Sequence, residues 1–266
     1  MKIDFQETTK DLAVRIDIHS KFGARDIDRW MLDLIQLQPG SKILDVGCGS
    51  GKQCFGYWDE LKGNAEITGG DVSEDLLAQA KAENTRRNTR IQFDYLDFNL
   101  PFQYTNSIFD FVSCCFAIYY AENIPQTIKE MHSVTKPGGR LFTSGPMPDN
   151  KKLFYELIKE ATGKPIPPMP GSSRYSTEIL STVKSLYSSV ELHIFENPLV
   201  FESVEPYMAY TRASMSEDRK LWGSLFVEKD DFEKIMIKIE EKAKERLEKD
   251  GNLTMTKVVG GILATK

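Results

Sequence analysis

Three glycines at alternate positions offer the first place where chemistry could occur: Gly47, Gly49 and Gly51 in the run KILDVGCGSGK, directly after a short apolar stretch. Glycine adopts positive φ without steric cost and lets a ligand approach the backbone with no Cβ in the way. Such a turn, leading from a strand into a helix, is expected to aim free backbone N–H groups at the crevice beyond the carboxyl end of the strand. Open α/β sheets bind ligands there. The spacing discriminates between ligands. A dinucleotide turn reads G-x-G-x-x-G; here the third glycine comes one residue early and Lys52 follows. A P-loop reads G-x-x-x-x-G-K-[ST]; here the first glycine is misplaced and Gln53 follows the lysine. The bland alternative is a tight turn with a purely structural role.

Two acidic positions sharpen the ligand reading. Asp71 ends a second apolar run, EITGGD, 20 residues after Gly51. Adjacent strands of such a sheet end side by side, so its carboxylate should face the same crevice, where it can accept both hydroxyls of a ribose. Against this, Asp71 or Ser73 could simply cap the helix starting near Glu74. Asp97-Phe98 stands in DYLDFNLPF, at the end of a third apolar run, IQFDYLD. An acid there can accept from an adenine amino group and the adjacent N–H can donate to the ring; the Phe98 side chain could instead belong to the core.

The elements that must position these residues are legible from apolar patterning. Short apolar runs at 42–46, 66–71, 91–97, 109–120 and 139–145 predict strands. Between them, 76–87 and 123–139 have helical periodicity, the second with Ile128, Met131 and Val134 at spacing three and a stop at Pro137-Gly138-Gly139. Strands apolar on both faces and alternating with helices mean a parallel sheet covered on both sides. Upstream, 24–37 reads as an amphipathic helix. Downstream, 163–174 carries four prolines and reads as a loop or lid hinge that cannot be helix. Helices are expected over 177–189 and 229–249, the latter ended by Gly251. Strand is expected over 190–202, broken by Pro198, and at the C-terminus, with Gly260-Gly261 as a bulge or close backbone contact.

Composition bounds the function class. The chain has 266 residues, 41% hydrophobic and 27% charged, which excludes disordered and collagen-like readings and suits one domain with a sizeable insert. A net charge of −5 disfavours non-specific nucleic-acid binding, which needs basic surface. No stretch approaches 18 uninterrupted apolar residues, and the charged N-terminus lacks an apolar signal core, so a soluble, cytoplasmic protein with no membrane partner is expected. The four cysteines, Cys48, Cys54, Cys114 and Cys115, form no C-x-x-C pair and only three histidines exist, so no metal site is assigned.

Taken in order, ILDVGCGSG, GGDVSEDLLAQAK, DYLDFNLPF, FDFVSCCFAIYY and PGGRLFTS resemble the motifs of class I S-adenosylmethionine-dependent methyltransferases, across roughly 40–145. The resemblance implies an α/β, Rossmann-like seven-stranded, mostly parallel sheet with one antiparallel strand, helices on both faces and a helical cap insert. It implies a segment 1–40 covering the cofactor site, a cofactor-binding core over 41–150, and a cap and substrate region over 151–266, one domain overall. The implied cofactor is S-adenosylmethionine, released as S-adenosylhomocysteine. By the same resemblance Gly47, Cys48, Gly49 and Gly51 lie against its methionine part, and Asp45 orients the turn or binds the amino group. Asp71 holds the ribose, Val72 packs on the adenine, Asp97 and Phe98 read the adenine edge, and Cys114 and Phe116 line the methyl-donor end.

The chemistry this implies is an in-line displacement, with catalysis coming mainly from holding a nucleophile near the methyl carbon; such alignment supplies on the order of 7–11 kcal/mol. No general base is secure; His19, before Ser20-Lys21-Phe22-Gly23, and Tyr119, after the fourth strand, are the candidates. No Asn/Asp-Pro-Pro-Tyr motif follows the fourth strand, no Pro-Cys dipeptide occurs and no basic appendage is present. Region 146–255 is rich in aromatic residues and Met, which suits a small, partly apolar acceptor methylated on O, N or C. The alternatives are a tRNA or protein methyltransferase, for which Arg86, Arg87 and Arg90 would supply basic surface, and a non-catalytic cofactor-binding protein. The oligomeric state is left open.

Overall fold

The computed structural model describes residues 9–104, 107–215, 217–226 and 228–266; the start of the expected N-terminal segment, 1–8, lies outside them. Seven strands form one sheet: β1 (Lys42–Val46), β2 (Glu66–Asp71), β3 (Gln92–Tyr95), β4 (Phe109–Cys115), β5 (Thr135–Pro146), β6 (Ser189–Phe201) and β7 (Leu253–Thr265). Their order is β3-β2-β1-β4-β5-β7-β6. The first five pair in parallel, and β7 runs antiparallel to β5, with Pro146 opposite Val259 and Arg140 opposite Thr265. This is the expected mostly parallel sheet.

The chain divides into two compact units. One comprises Met1–Arg25, Asp149–Met169 and Glu196–Val258; the other comprises Asp26–Pro148, Pro170–Phe195 and Val259–Lys266. The chain passes from the second unit to the first at Asp149, and 170–195 and 259–266 belong to the second unit. The first unit is mainly helical. Its core joins Ile18, Phe154, Leu157, Tyr207, Tyr210, Trp222, Phe232, Met236 and Ile239, and its long helix Lys229–Asp250 ends at Gly251, at φ +79°.

In the second unit the sheet is covered on both faces, as strands without polar alternation require. Leu44, Val46, Val112 and Cys114 pack with Ile124, Ile128, Met131 and Val134 on one face. Ile43 and Phe111 pack with Met31, Ile35, Cys54, Phe55 and Tyr57 on the other. Successive residues of a strand point to opposite faces, so each of these strands feeds two cores.

Several boundaries differ from expectation for physical reasons. The helix expected over 123–139 stops at Val134, where Thr135 Oγ1 donates to the Met131 carbonyl at 2.7 Å and the chain turns straight into β5. Pro137-Gly138-Gly139 lies inside that strand, at the register shift between Phe109 and Phe111. The run 109–120 is strand only to Cys115; Phe116 at φ +56° breaks it, and a short 3₁₀ turn covers Ile118–Tyr120. Residues 170–174, expected to be non-helical, form the helix Pro170–Arg174 with proline at its first position, where the missing N–H has no partner to lose. Pro198 does not interrupt β6, which lies at the sheet edge, where a missing donor is tolerated. Among the described residues no helix is long and apolar enough to cross a membrane.

Candidate active site

The site is built where β1, β2, β3 and β4 end side by side. Val46 pairs with Gly70, Asp71 with Tyr95, and Asp45 with Ser113. After Val46 the chain enters the glycine turn, with φ of +70°, +55° and +85° at Gly47, Gly49 and Gly51, and then the helix Lys52–Glu60. The three glycines are required for different reasons. A Cβ on Gly47 would sit 2.6 Å from the Ala117 Cβ, and one on Gly51 would sit 2.9 Å from the Phe93 ring. Those two positions are closed by packing. A Cβ on Gly49 would meet nothing nearer than Leu76 Cδ1 at 3.9 Å, so that position opens outward.

The turn does not present free amides as expected. Gly47 and Cys48 both donate to the Gly70 carbonyl, at 2.8 and 3.0 Å, and Gly51 donates to the Cys48 carbonyl at 2.9 Å. Gly49 donates to Asp71 Oδ2 at 2.8 Å. Four of the five turn amides, at Gly47, Cys48, Gly49 and Gly51, are therefore held by the protein itself. The turn is a shape, stapled to β2, rather than a row of vacant donors.

Asp71 is the staple. Its second oxygen, Oδ1, accepts from the Ser73 amide at 2.9 Å, while the helix Glu74–Arg87 is capped by Ser73, whose Oγ accepts from Leu76 at 3.3 Å. The capping alternative for Asp71 thus falls to Ser73. Asp71 is only half-buried, and each carboxylate oxygen has further acceptor capacity. Exposed apolar side chains stand at or after the ends of β2 and β3: Val72 at 53%, Leu76 at 36%, Tyr95 at 61% and Leu100 at 57%. Leu76, Tyr95 and Leu100 were not singled out from sequence; their signal was an apolar residue just past a strand end or in the first helical turn.

Asp45 and Cys114 do not reach this crevice. Asp45 is buried, accepting from Ser113 Oγ at 2.6 Å and from Cys54 Sγ at 3.6 Å. Burial pushes its carboxyl up to about 7, against the lowering effect of the Ser113 and Cys54 hydrogen bonds. Its role is therefore beneath the turn, not on the ligand. Cys114 is fully buried in the core with Ile118 and Ile262, because alternation along β4 points it into the covered face of the sheet. Cys48 is also buried; its Sγ, like that of Cys54, lies 2.9 Å from where a Gly69 Cβ would be, which explains the glycine in β2.

Asp97 Oδ1 accepts from the Asn99 amide at 2.9 Å, shaping the loop after β3. The Phe98 ring lies 3.6 Å from the Gly47 Cβ position and packs partly against the core. Phe116 is half-buried, in the left-handed region that non-glycine residues rarely adopt. Tyr119 is half-buried beside Gly171, and its carbonyl accepts from Arg174 at 3.0 Å. His19 belongs to the other unit, where its ring meets Tyr210 edge-on at 5.6 Å. Burial and the charge of Lys257 lower its pKa to about 3.

Such a crevice fits an adenosyl group: a carboxylate with spare acceptor capacity, an open backbone position at Gly49, and exposed apolar surface at Val72, Leu76 and Leu100 for a flat ring. Comparison with known proteins agrees. A family model described as a methyltransferase domain matches residues 37–182, more than half of the chain. Demethylmenaquinone methyltransferase of Staphylococcus haemolyticus is 33% identical over 138 residues, covering 49% of this chain and 56% of that protein. The chain spans about half the length of the curated relatives it matches. Among solved structures, the YcgJ protein of Bacillus subtilis superposes with a TM-score of 0.59 at 12% identity, covering 90% of this chain and 97% of that one. Phosphoethanolamine N-methyltransferase 2 of Haemonchus contortus, in complex with S-adenosylmethionine, gives 0.53 at 16% identity, covering 99% and 60%. With its motifs, sheet order and family match in agreement, the chain belongs to the class I S-adenosylmethionine-dependent methyltransferases.

Proposed function

We propose that this protein transfers a methyl group from S-adenosylmethionine to an O, N or C atom of a small molecule. The observation that carries the reading is the Asp71 carboxylate, locked between the Gly49 and Ser73 amides beside a backbone position open to a ligand. Bound S-adenosylmethionine supplies a methyl group already activated by its sulfonium. The chain's own part is to bind and orient. Asp71 accepts the ribose hydroxyls, Val72 and Leu76 cover the adenine, and Asp97 with the Phe98 amide reads its edge. Gly49 lets the methionine portion lie against the backbone, and Phe116 flanks the reacting end. Tyr119 is the candidate acceptor contact on this unit. Alignment, rather than a strong base, then provides most of the rate.

What supports a small acceptor over a nucleic acid is the state of the arginines that could have formed a basic patch. Arg86 pairs with Glu83 at 2.6 Å, Arg87 pairs with Asp59 at 2.6 Å, and Arg90 lies over the Trp58 ring at 5.9 Å. We also place the protein in the cytoplasm, a compartment that suits its four free cysteines.

The test is thermal unfolding with ligands. S-adenosylmethionine and S-adenosylhomocysteine should each raise the Tm, by the equivalent of about 2.7 kcal/mol at 100-fold over Kd. A shift with a nicotinamide dinucleotide and none with either compound would overturn the reading.

A further inference from the structure

Sheet order leaves β6 as one of two edge strands, and its two halves are treated differently. In the first unit its free edge is covered. Gly23 bridges Leu199 in antiparallel fashion. Asn197 Oδ1 accepts from the Ala24 and Arg25 amides at 2.9 and 3.2 Å, and Asn197 Nδ2 donates to the Arg25 carbonyl at 3.1 Å. Residues 189–195 of the same strand belong to the second unit. There, among the described residues, nothing outside the sheet hydrogen-bonds the backbone of 189–194.

An open edge is a template for another strand, and proteins blunt such edges by shortness, charge, proline or a cover. The opposite edge strand, β3, has four residues and carries Asp94. Residues 189–195, SVELHIF, are rich in strand formers, with no proline and a single carboxylate. The segment is fixed in place, since the Phe195 ring packs on Trp30 with centroids 5.1 Å apart. Alternation puts Val190, Leu192 and Ile194 on one face and Glu191 and His193 on the other. Val190 is half-buried, whereas Leu192 and Ile194 are 38% and 44% exposed.

The chemistry of this segment reads the same in both directions about Leu192. Two antiparallel copies related by a two-fold axis at Leu192 place that residue opposite itself, Val190 opposite Ile194, and Glu191 opposite His193. One face of the joint is then apolar along its length. The other sets each carboxylate against an imidazole. Within one chain Glu191 Oε2 already lies 3.1 Å from His193 Nε2, so the joint builds an alternating cluster of four groups. Neighbouring registers lose this match. An axis at Glu191 opposes two carboxylates, and one at His193 opposes Glu191 with Phe195. An axis between residues opposes Glu191 with Leu192 or Ile194. A surface complementary to itself is what a two-fold contact between like chains requires.

We propose that residues 189–195 pair with the same residues of a second copy, in the register centred on Leu192, to form a homodimer with one sheet running through both chains. The inference stands apart from the methyltransferase reading.

Sedimentation velocity of the full chain, from low to high micromolar concentration, tests it. The wild type should sediment as a dimer. Leu192→Lys and Ile194→Lys each bring an ammonium into the apolar face of the joint and should weaken dimerisation by about tenfold or more. Ile237→Lys, exposed on the helix Lys229–Asp250, should stay dimeric. The polar face supplies a test that loss of folding does not imitate. His193→Glu opposes carboxylate with carboxylate and should dissociate the dimer; adding Glu191→His to it restores the match and should restore the dimer. Leu192→Cys should cross-link to its own counterpart through a short bis-maleimide, and Ile237→Cys should not. A wild-type monomer throughout the range overturns the proposal; amides of 190–194 protected from hydrogen exchange in that monomer would mean that a different occupant covers the edge. A dimer that survives both Leu192→Lys and Ile194→Lys, or a folded double variant that stays monomeric, puts the contact elsewhere and overturns it as well.

Discussion

The three turn glycines should fail in different ways when each is replaced by alanine. All three sit at positive φ, so each alanine carries a backbone cost of about 1–3 kcal/mol. Gly47→Ala adds a contact at 2.6 Å with the Ala117 Cβ, and Gly51→Ala adds contacts at 2.9–3.0 Å with two aromatic rings. Neither neighbour is the loose end of a flexible chain, and overpacking of this kind adds about 1–3 kcal/mol. Gly49→Ala adds no clash within the protein; its methyl enters the space assigned to the cofactor. Loss of stability should therefore be about 1–3 kcal/mol for Gly49→Ala and about 2–6 kcal/mol for the other two. Binding should follow the opposite order per folded molecule, with S-adenosylhomocysteine affinity falling most in Gly49→Ala. Denaturant unfolding and calorimetric titration read the two quantities separately. Equal destabilisation of all three, or Gly49→Ala binding S-adenosylhomocysteine as wild type does, would refute the division of roles.

Other substitutions test the neighbours of the turn. Asp71→Ala removes the acceptor for two amides and should cost about 2 kcal/mol or more in stability as well as weakening S-adenosylhomocysteine, whereas Ser73→Ala should cost about 1 kcal/mol and leave binding intact. If Ser73→Ala weakened binding as much as Asp71→Ala did, the carboxylate would have no ligand role. Asp45→Asn tests the buried acid. Its folded pKa of about 7 lies above the usual value of 3.8, so the stability of the protonated form is complete below about pH 4 and is lost as pH rises to about 7. The amide side chain does not titrate, so Asp45→Asn should gain on wild type between pH 4 and pH 8, by an amount of order 4 kcal/mol at most; a Tm difference flat across that range would show that Asp45 titrates normally.

Much of this site was legible because its determinants are local. A glycine that needs positive φ, an acid at a strand end and a serine before a helix each act within a few residues, and their spacing survives in the chain. What sequence could not show was which atoms those groups would satisfy. The turn amides were expected to face a ligand, but parallel pairing carries the Gly70 carbonyl and Asp71 to them. Cys114 was expected at the crevice because it lies near the end of a run whose strand, in the structure, stops at Cys115; a one-residue difference sends a side chain to the opposite face. Pro170 was read as a helix breaker, although the first helical position tolerates it. A charge cluster in the first unit was invisible for the opposite reason. Arg15, Lys151 and Glu217 are far apart in sequence, and only the fold brings both cations onto the one carboxylate, at 2.9 and 2.8 Å.

The pairing of the turn amides also bears on which cofactor this crevice can prefer. A helix N-terminus that binds a pyrophosphate does so with unpaired N–H groups and a positive end of the helix dipole. Here Gly47, Cys48 and Gly51 have spent their amides on carbonyls, and the Gly49 amide is already neutralised by a carboxylate. A phosphate brought to this turn would find few donors and would lie beside the negative charge of Asp71. A ribose beside Asp71 donates hydroxyl protons to it, and a sulfonium gains from nearby negative charge. On the proposed reading, one aspartate on the neighbouring strand makes a glycine-rich bend of the kind that serves anions elsewhere suit a cofactor that is neutral at its sugar and cationic at its reactive end.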